Sequence, residues 1–156
     1  MRLQPLSPAA LPAARALFEA ELARQPYAAR PLELLDAAAA GSAEYQVDVA
    51  LDRDGVAGAV AYGLVAGASG AGALYGVCVA PVARRRGTGA ELVARALDAL
   101  HTRGARRAFA EVPDDPAALG DVLGLLRSVG FAEEARVPDL VRDGVALLIL
   151  GRAVGR

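Results

Sequence analysis

VCVAPVARRRGTGAEL, residues 77–92, joins an apolar, valine-rich run to Pro81, then to three consecutive arginines, then to Gly87-Thr88-Gly89 and a helix-forming segment. A strand that passes through a glycine-rich turn into a helix is an anion-binding device. The first helical N–H groups have no partner inside the helix, and the helix dipole adds partial positive charge at the same place. Glycines at positions 87 and 89 keep side chains away from those amides. Arg84, Arg85 and Arg86 add full charges around the same point. Together these features suit a pyrophosphate. A nucleotide P-loop is excluded because no Gly-Lys-Ser/Thr follows the glycines. The dinucleotide fingerprint G-x-G-x-x-G lacks its third glycine, since Ala90-Glu91-Leu92 follows Gly89.

On either side of this turn the patterning is that of a mixed α/β domain. Downstream, residues 87–102 are predicted helical, with Val93, Ala96, Leu97 and Leu100 on one face, Thr88 and Glu91 as a capping box, and Gly104 as the stop. Residues 105–112 form a strand, 116–128 a helix closed by Gly130, and 131–137 another strand. A final strand at 145–150 is apolar throughout and is expected to be covered on both faces, leaving 151–156 as a frayed tail to a single domain at 1–150. Upstream, 2–5 reads as a short strand. Ser7-Pro8 opens a helix with Leu11, Ala14, Phe18 and Leu22 as its stripe, and 31–40 forms a second helix. Strands at 45–51 and 56–66 are joined by Asp52-Arg53-Asp54-Gly55, a hairpin signal, and the loop 67–72 leads into a strand at 73–80. The fold class expected is mixed α/β, with a mostly antiparallel twisted sheet of six to seven strands and helices on both faces.

Composition narrows the partners. The chain has 156 residues, with 17 Lys+Arg against 18 Asp+Glu and a pI near 5.8, which argues against coating nucleic acid or an anionic membrane. No apolar run approaches the roughly 20 residues of a bilayer span, and the N-terminus lacks the pattern of a signal peptide, so a cytoplasmic location is expected. One cysteine (Cys78) and one histidine (His101) leave no basis for an internal disulfide or a transition-metal site, and both read as structural. Tyr62 and Tyr75 alternate with apolar neighbours and are expected in the core or lining a pocket.

The stretch from Val79 to Ala90 resembles the acetyl-CoA-binding motif of the GNAT family of N-acetyltransferases, V-x-P, two residues, then Q/R-x-x-G-x-G/A, opening a helix. It matches at Val79, Pro81, Arg84, Gly87 and Gly89. The element order agrees across nearly the whole chain, and residues 125–131 (LLRSVGF) are similar to the family's LYxxxGF segment. The resemblance implies acetyl-CoA as cosubstrate, no metal, and transfer to a primary amine of a small molecule or peptide; a homodimer is compatible with it. It also implies that the amides from Arg85 to Ala90 (Arg85, Arg86, Gly87, Thr88, Gly89, Ala90) cradle the pyrophosphate, with Arg84 and Arg86 as site residues. Arg85 fits either the site or a solvated face. The backbone of Val77 and Val79 would pair with the pantetheine arm like an added strand, and the Val79 N–H would polarise the thioester carbonyl.

Leu126 stands where many members of the family place a tyrosine that protonates the leaving thiolate, and Asp114-Asp115-Pro116 stands where an asparagine often precedes that helix. Tyr75 is the candidate substitute acid. Glu111 fits three roles: a base acting through water, a pocket residue attracting a cationic substrate, or an exposed strand residue. The first two helices and the loop at 25–30 should form the acceptor side. A non-catalytic acyl-CoA-binding or regulatory domain is the rival function, and nucleic-acid binding through the arginines is opposed by the acidic pI.

Overall fold

The computed structural model describes residues 1–21 and 29–155. Its elements are β1 (Arg2–Pro5), α1 (Leu11–Glu21), α2 (Ala29–Ala39), β2 (Tyr45–Asp52), β3 (Gly55–Leu64), β4 (Ala71–Val79), α3 (Thr88–Thr102), β5 (Arg107–Pro113), α4 (Pro116–Ser128), β6 (Ala132–Arg142) and β7 (Val145–Ala153). The strands form one seven-stranded sheet in the order β1-β2-β3-β4-β5-β7-β6. β4 and β5 pair in parallel and the other neighbours are antiparallel, as the expected fold class requires. Among the described residues no helix is long and apolar enough to cross a membrane.

Local chemistry explains most element ends. Ser7 Oγ accepts from the Ala10 N–H at 3.3 Å and caps a 3-10 turn that carries Pro8 at its start and leads directly into α1. The Asp54 N–H donates to Asp52 Oδ1 at 2.7 Å, and Gly55 takes φ +111°, which tightens the β2–β3 hairpin.

Close contacts at glycines show which helices cover which face. A Cβ at Gly58 would meet Leu92, and one at Gly72 would meet Leu100, so α3 lies on that face. A Cβ at Gly76 would meet Phe18 and Pro31, which places α1 and α2 against Gly76. Gly72 and Gly76 are four residues apart and would share a face in a regular strand. They do not, because β4 carries a bulge: Leu74 pairs with Tyr62 and Gly76 with Ala61, leaving Tyr75 as the extra residue. Phe18, Leu35, Leu92, Leu100, Leu126, Leu148 and Leu150 are the largest fully buried side chains.

Two expectations are corrected at the C-terminus. Residue 151 does not begin a frayed tail: β7 continues to Ala153, the Val154 N–H donates to the Arg106 carbonyl at 3.0 Å, and Val154 is buried. β7 is also not covered on both faces, since its burial alternates from Val145 to Leu150. It lies between β5 and β6 with both edges paired, so the strand edge open at this end of the sheet belongs to β6.

One polar group sits in the core between the sheet and α3. Asp48 is 4% exposed and accepts from the Tyr62 hydroxyl at 2.8 Å, while Arg95 Nε lies 3.0 Å from the same Asp48 oxygen. Burial first, and then the bond to Asp48, push the Tyr62 phenol above the ordinary tyrosine range. A group whose pKa is higher folded than unfolded gives stability that is complete below its unfolded pKa and is lost as pH rises toward the folded value. Wild-type stability should therefore fall above about pH 10, by at most about 1.4 kcal/mol per pH unit from this group. Tyr62→Phe should flatten that alkaline limb relative to wild type when urea midpoints are compared from about pH 8 to pH 11.

Candidate active site

The site begins where β4 and β5 part. Their parallel pairing runs only from Ala71 opposite Arg107 to Leu74 opposite Ala110, although β4 continues to Val79 and β5 to Pro113. The Tyr75 bulge falls at the parting point and bends β4 away from its neighbour. The hydrogen-bond phase beyond the bulge follows from one contact: the Ala80 N–H donates to the Ala57 carbonyl at 2.8 Å. Antiparallel pairs alternate between exchanging hydrogen bonds and not, so the Cys78–Ala59 pair is bonded while Val79–Gly58 and Val77–Val60 are not. The N–H and C=O groups of Val77 and Val79 therefore turn away from β3 and face the gap toward β5. An extended chain could bind there as a strand.

The gap opens onto the turn at residues 80–88. Pro81–Ala83 forms a 3-10 turn, Arg85 takes φ +63° and Gly87 takes φ +79°. Arg85 pays about 1–2 kcal/mol for a left-handed backbone that glycine adopts freely. α3 starts with Gly87 as its cap and no side-chain cap bond. The amides of Thr88, Gly89 and Ala90 precede its first intrahelical bond, from the Glu91 N–H to the Gly87 carbonyl at 3.0 Å. The expected capping box is therefore corrected: Thr88 is the first helical residue, buried, with its hydroxyl 3.4 Å from Met1 Sδ, because Gly87 occupies the cap position. Gly89 packs closely on α4: a Cβ there would lie 2.7 Å from Leu125 Cδ2 and 3.4 Å from Val79 Cγ2, so the end of the Leu125 side chain would have to move.

A cavity of about 500 Å³ follows this surface, walled by Val77 and Val79, by Gly87 to Ala90, and by Leu119, Asp121, Val122 and Leu125 of α4. Two of the three arginines line it. Arg85 lines the cavity, whereas Arg86 is exposed and outside its wall. Arg84 lines it too, but its guanidinium is paired with Glu21 of α1 and with Asp121 at 3.3 Å, and its Nε donates to the Val79 carbonyl at 3.3 Å. The sequence held no signal for Glu21. Asp121 sits four residues before Leu125 on α4, a spacing that places both on the helix face toward the turn.

A second cavity of about 70 Å³ shares Val77, Cys78, Leu119 and Val122 with the first and lies deeper in the gap. Tyr75 and Glu111 both line it, together with Pro31 and Leu126. Glu111 is exposed and pairs with Ile149 of β7; Tyr75 is half-buried, its ring edge-on to Tyr45 with centroids 5.8 Å apart. Leu126, 1% exposed, presents an aliphatic wall to the same cavity. Asp114 is held by Arg136 at 2.8 Å and Asp115 by Arg142 at 2.9 Å, so both carboxylates tie β6 to the start of α4. The first turn of α4 is set off from the rest at Leu119, whose φ of −124° and ψ of 15° are not helical. The acceptor loop expected at 25–30 lies outside the described residues, apart from the backbone of Ala29 and Arg30.

Cys78 lines both cavities but is buried, and burial pushes its thiol above the usual range. The thiolate is the nucleophile, so this sulfur is a packing group. A disulfide reagent should label it far more slowly in the native protein than in urea, as followed by released chromophore.

Solved structures share this architecture. A GNAT-family protein from Desulfovibrio desulfuricans is 25% identical, with 99% of each chain covered and a TM-score of 0.88. The ribosomal-protein-alanine N-acetyltransferase of Brucella melitensis is 22% identical over 99% of this chain and 100% of its own, with a TM-score of 0.76. An aminoglycoside 6'-N-acetyltransferase complexed with coenzyme A is 13% identical over 100% of this chain and 99% of its own, with a TM-score of 0.80. A search of curated proteins finds no match. The family model for "Acetyltransferase (GNAT) family" matches residues 12–131, which takes in α1 through α4, the open strand gap and the arginine-glycine turn. By that match, the chain belongs to the GNAT acetyltransferase family.

Proposed function

We propose that the protein transfers an acetyl group from acetyl-CoA to a primary amine by direct attack, without an acyl-enzyme. The observation that carries this is the outward-facing backbone of Val77 and Val79, which leads through two adjoining cavities from the Gly87 turn to Tyr75 and Glu111. The residues fit the cosubstrate: the amides from Arg85 to Ala90 suit a pyrophosphate, and the strand edge suits the amides of a pantetheine arm. A similar structure holds coenzyme A, which supports the same ligand here.

When bound, acetyl-CoA supplies an activated acyl group as a thioester. The Val79 N–H would act on the carbonyl as an oxyanion donor. Glu111, at the exposed mouth of the deeper cavity, would attract an ammonium and take its proton through water, leaving the neutral amine that attack requires. Tyr75 would donate to the departing sulfur in place of the missing tyrosine. Direct attack is favoured because Cys78, the thiol in the cavity walls, is buried and held protonated. A cytoplasmic location belongs with this assignment.

A non-catalytic acyl-CoA-binding role is the alternative, favoured by the aliphatic Leu126 in the cavity wall. Calorimetric titration with acetyl-CoA, with ATP and NAD as controls, tests the shared premise, and micromolar binding of acetyl-CoA alone is expected. Thiol release across a panel of N-terminal peptides, polyamines and aminoglycosides then separates the enzyme from the binding domain.

A further inference from the structure

We propose that Glu21 and Asp121 hold Arg84 as a strap across the mouth of the cofactor cavity, so that Glu21 is a positioning residue that opposes acetyl-CoA entry. The inference rests on the function proposed above. All three side chains line the large cavity. Glu21 ends α1, on one face of the sheet, and Asp121 belongs to α4, on the other. The Arg84 guanidinium meets both carboxylates, so it spans the open end of the gap between β4 and β5. Its Nε also donates to the Val79 carbonyl at 3.3 Å, one of the backbone groups that face the gap. A strand-like ligand pairing with Val79 must displace this contact.

The same arginine is the first charged residue of the turn, where a pyrophosphate would draw it away from Glu21. Arg84 thus has two competing sets of acceptors: two carboxylates in the free protein, and a diphosphate in the complex. The carboxylates make the free state more favourable and weaken the apparent affinity by that amount. Arg84 is 39% exposed at its side chain and Asp121 is 83% exposed, so both pairs are screened by water and the effect is modest. The Glu21 side chain, at 16% exposed, is the less screened partner.

The test is a double-mutant cycle read by calorimetry with acetyl-CoA on the full chain. Glu21→Gln should tighten binding by roughly 2–5-fold, and Asp121→Asn by less, in proportion to screening. In an Arg84→Gln background neither substitution should change the affinity, because the residue they compete for is gone. Equal tightening with and without Arg84 would mean simple charge repulsion of the ligand and would overturn the strap. So would unchanged or weaker binding by both single variants. Absence of acetyl-CoA binding by wild type and every variant would instead overturn the proposed function, and the strap with it.

Discussion

Gly89→Glu is expected to abolish acetyl-CoA binding, with a loss of at least ~100-fold in a calorimetric titration and little change in the far-UV spectrum. Position 89 lies in the first turn of α3, against Leu125 and Val79, both in the wall of the large cavity. A carboxylate there places negative charge beside the amides proposed to receive a pyrophosphate. Two like charges about 5 Å apart, at an effective dielectric near 20, repel by about 3 kcal/mol, which is roughly 200-fold in affinity. Lost space adds to this, since Leu125 must swing aside for any Cβ. Gly89→Ala asks only for that movement of a side-chain end and should weaken binding far less. If Gly89→Glu binds acetyl-CoA as wild type does, the ligand does not use this turn.

Glu111→Gln is expected to lower kcat by ~10²–10⁴-fold while leaving acetyl-CoA affinity unchanged. Glu111 lines the deeper cavity and is absent from the wall of the larger one, where the cosubstrate's pyrophosphate is proposed to bind. Gln keeps the size and the hydrogen bonding but removes the base. Unchanged kcat would return Glu111 to the part of an exposed strand residue. A rise in the amine's KM at constant kcat would make it a substrate-attracting charge. Tyr75→Phe, measured beside it, separates proton donation to the thiolate from removal of the ammonium proton.

These two positions differ in how they could be found. Gly89 was legible because the features that single it out are contiguous: turn, glycines, arginines and helix start all fall between Val79 and Ala90. Glu111 was legible only as a carboxylate on a strand, compatible with three roles. Register placed it with Tyr75, since β5 pairs with β4 up to Ala110 and no further. The capping box at Thr88 and Glu91 misled because the motif is a local regularity, and Gly87 in a left-handed conformation had already taken the cap. The tail at 151–153 looked frayed because its composition is unremarkable. β5 pairs with all three residues and β6 with Gly151, and no local pattern records that pairing.

By resemblance the sequence pointed to the family; by itself it determined the glycine-rich turn from strand to helix and the order of strands and helices. Each of these depends on short-range physics: unpaired amides at a helix start, the freedom of glycine at positive φ, and the period of apolar residues. Only the tertiary structure decided the open gap between β4 and β5, the bulge at Tyr75 that turns Val77 and Val79 toward it, and the carboxylates that hold Arg84. Those features join residues up to 63 positions apart, as Glu21 and Arg84 are. They follow from register and packing across the whole sheet, which no local stretch of chain encodes.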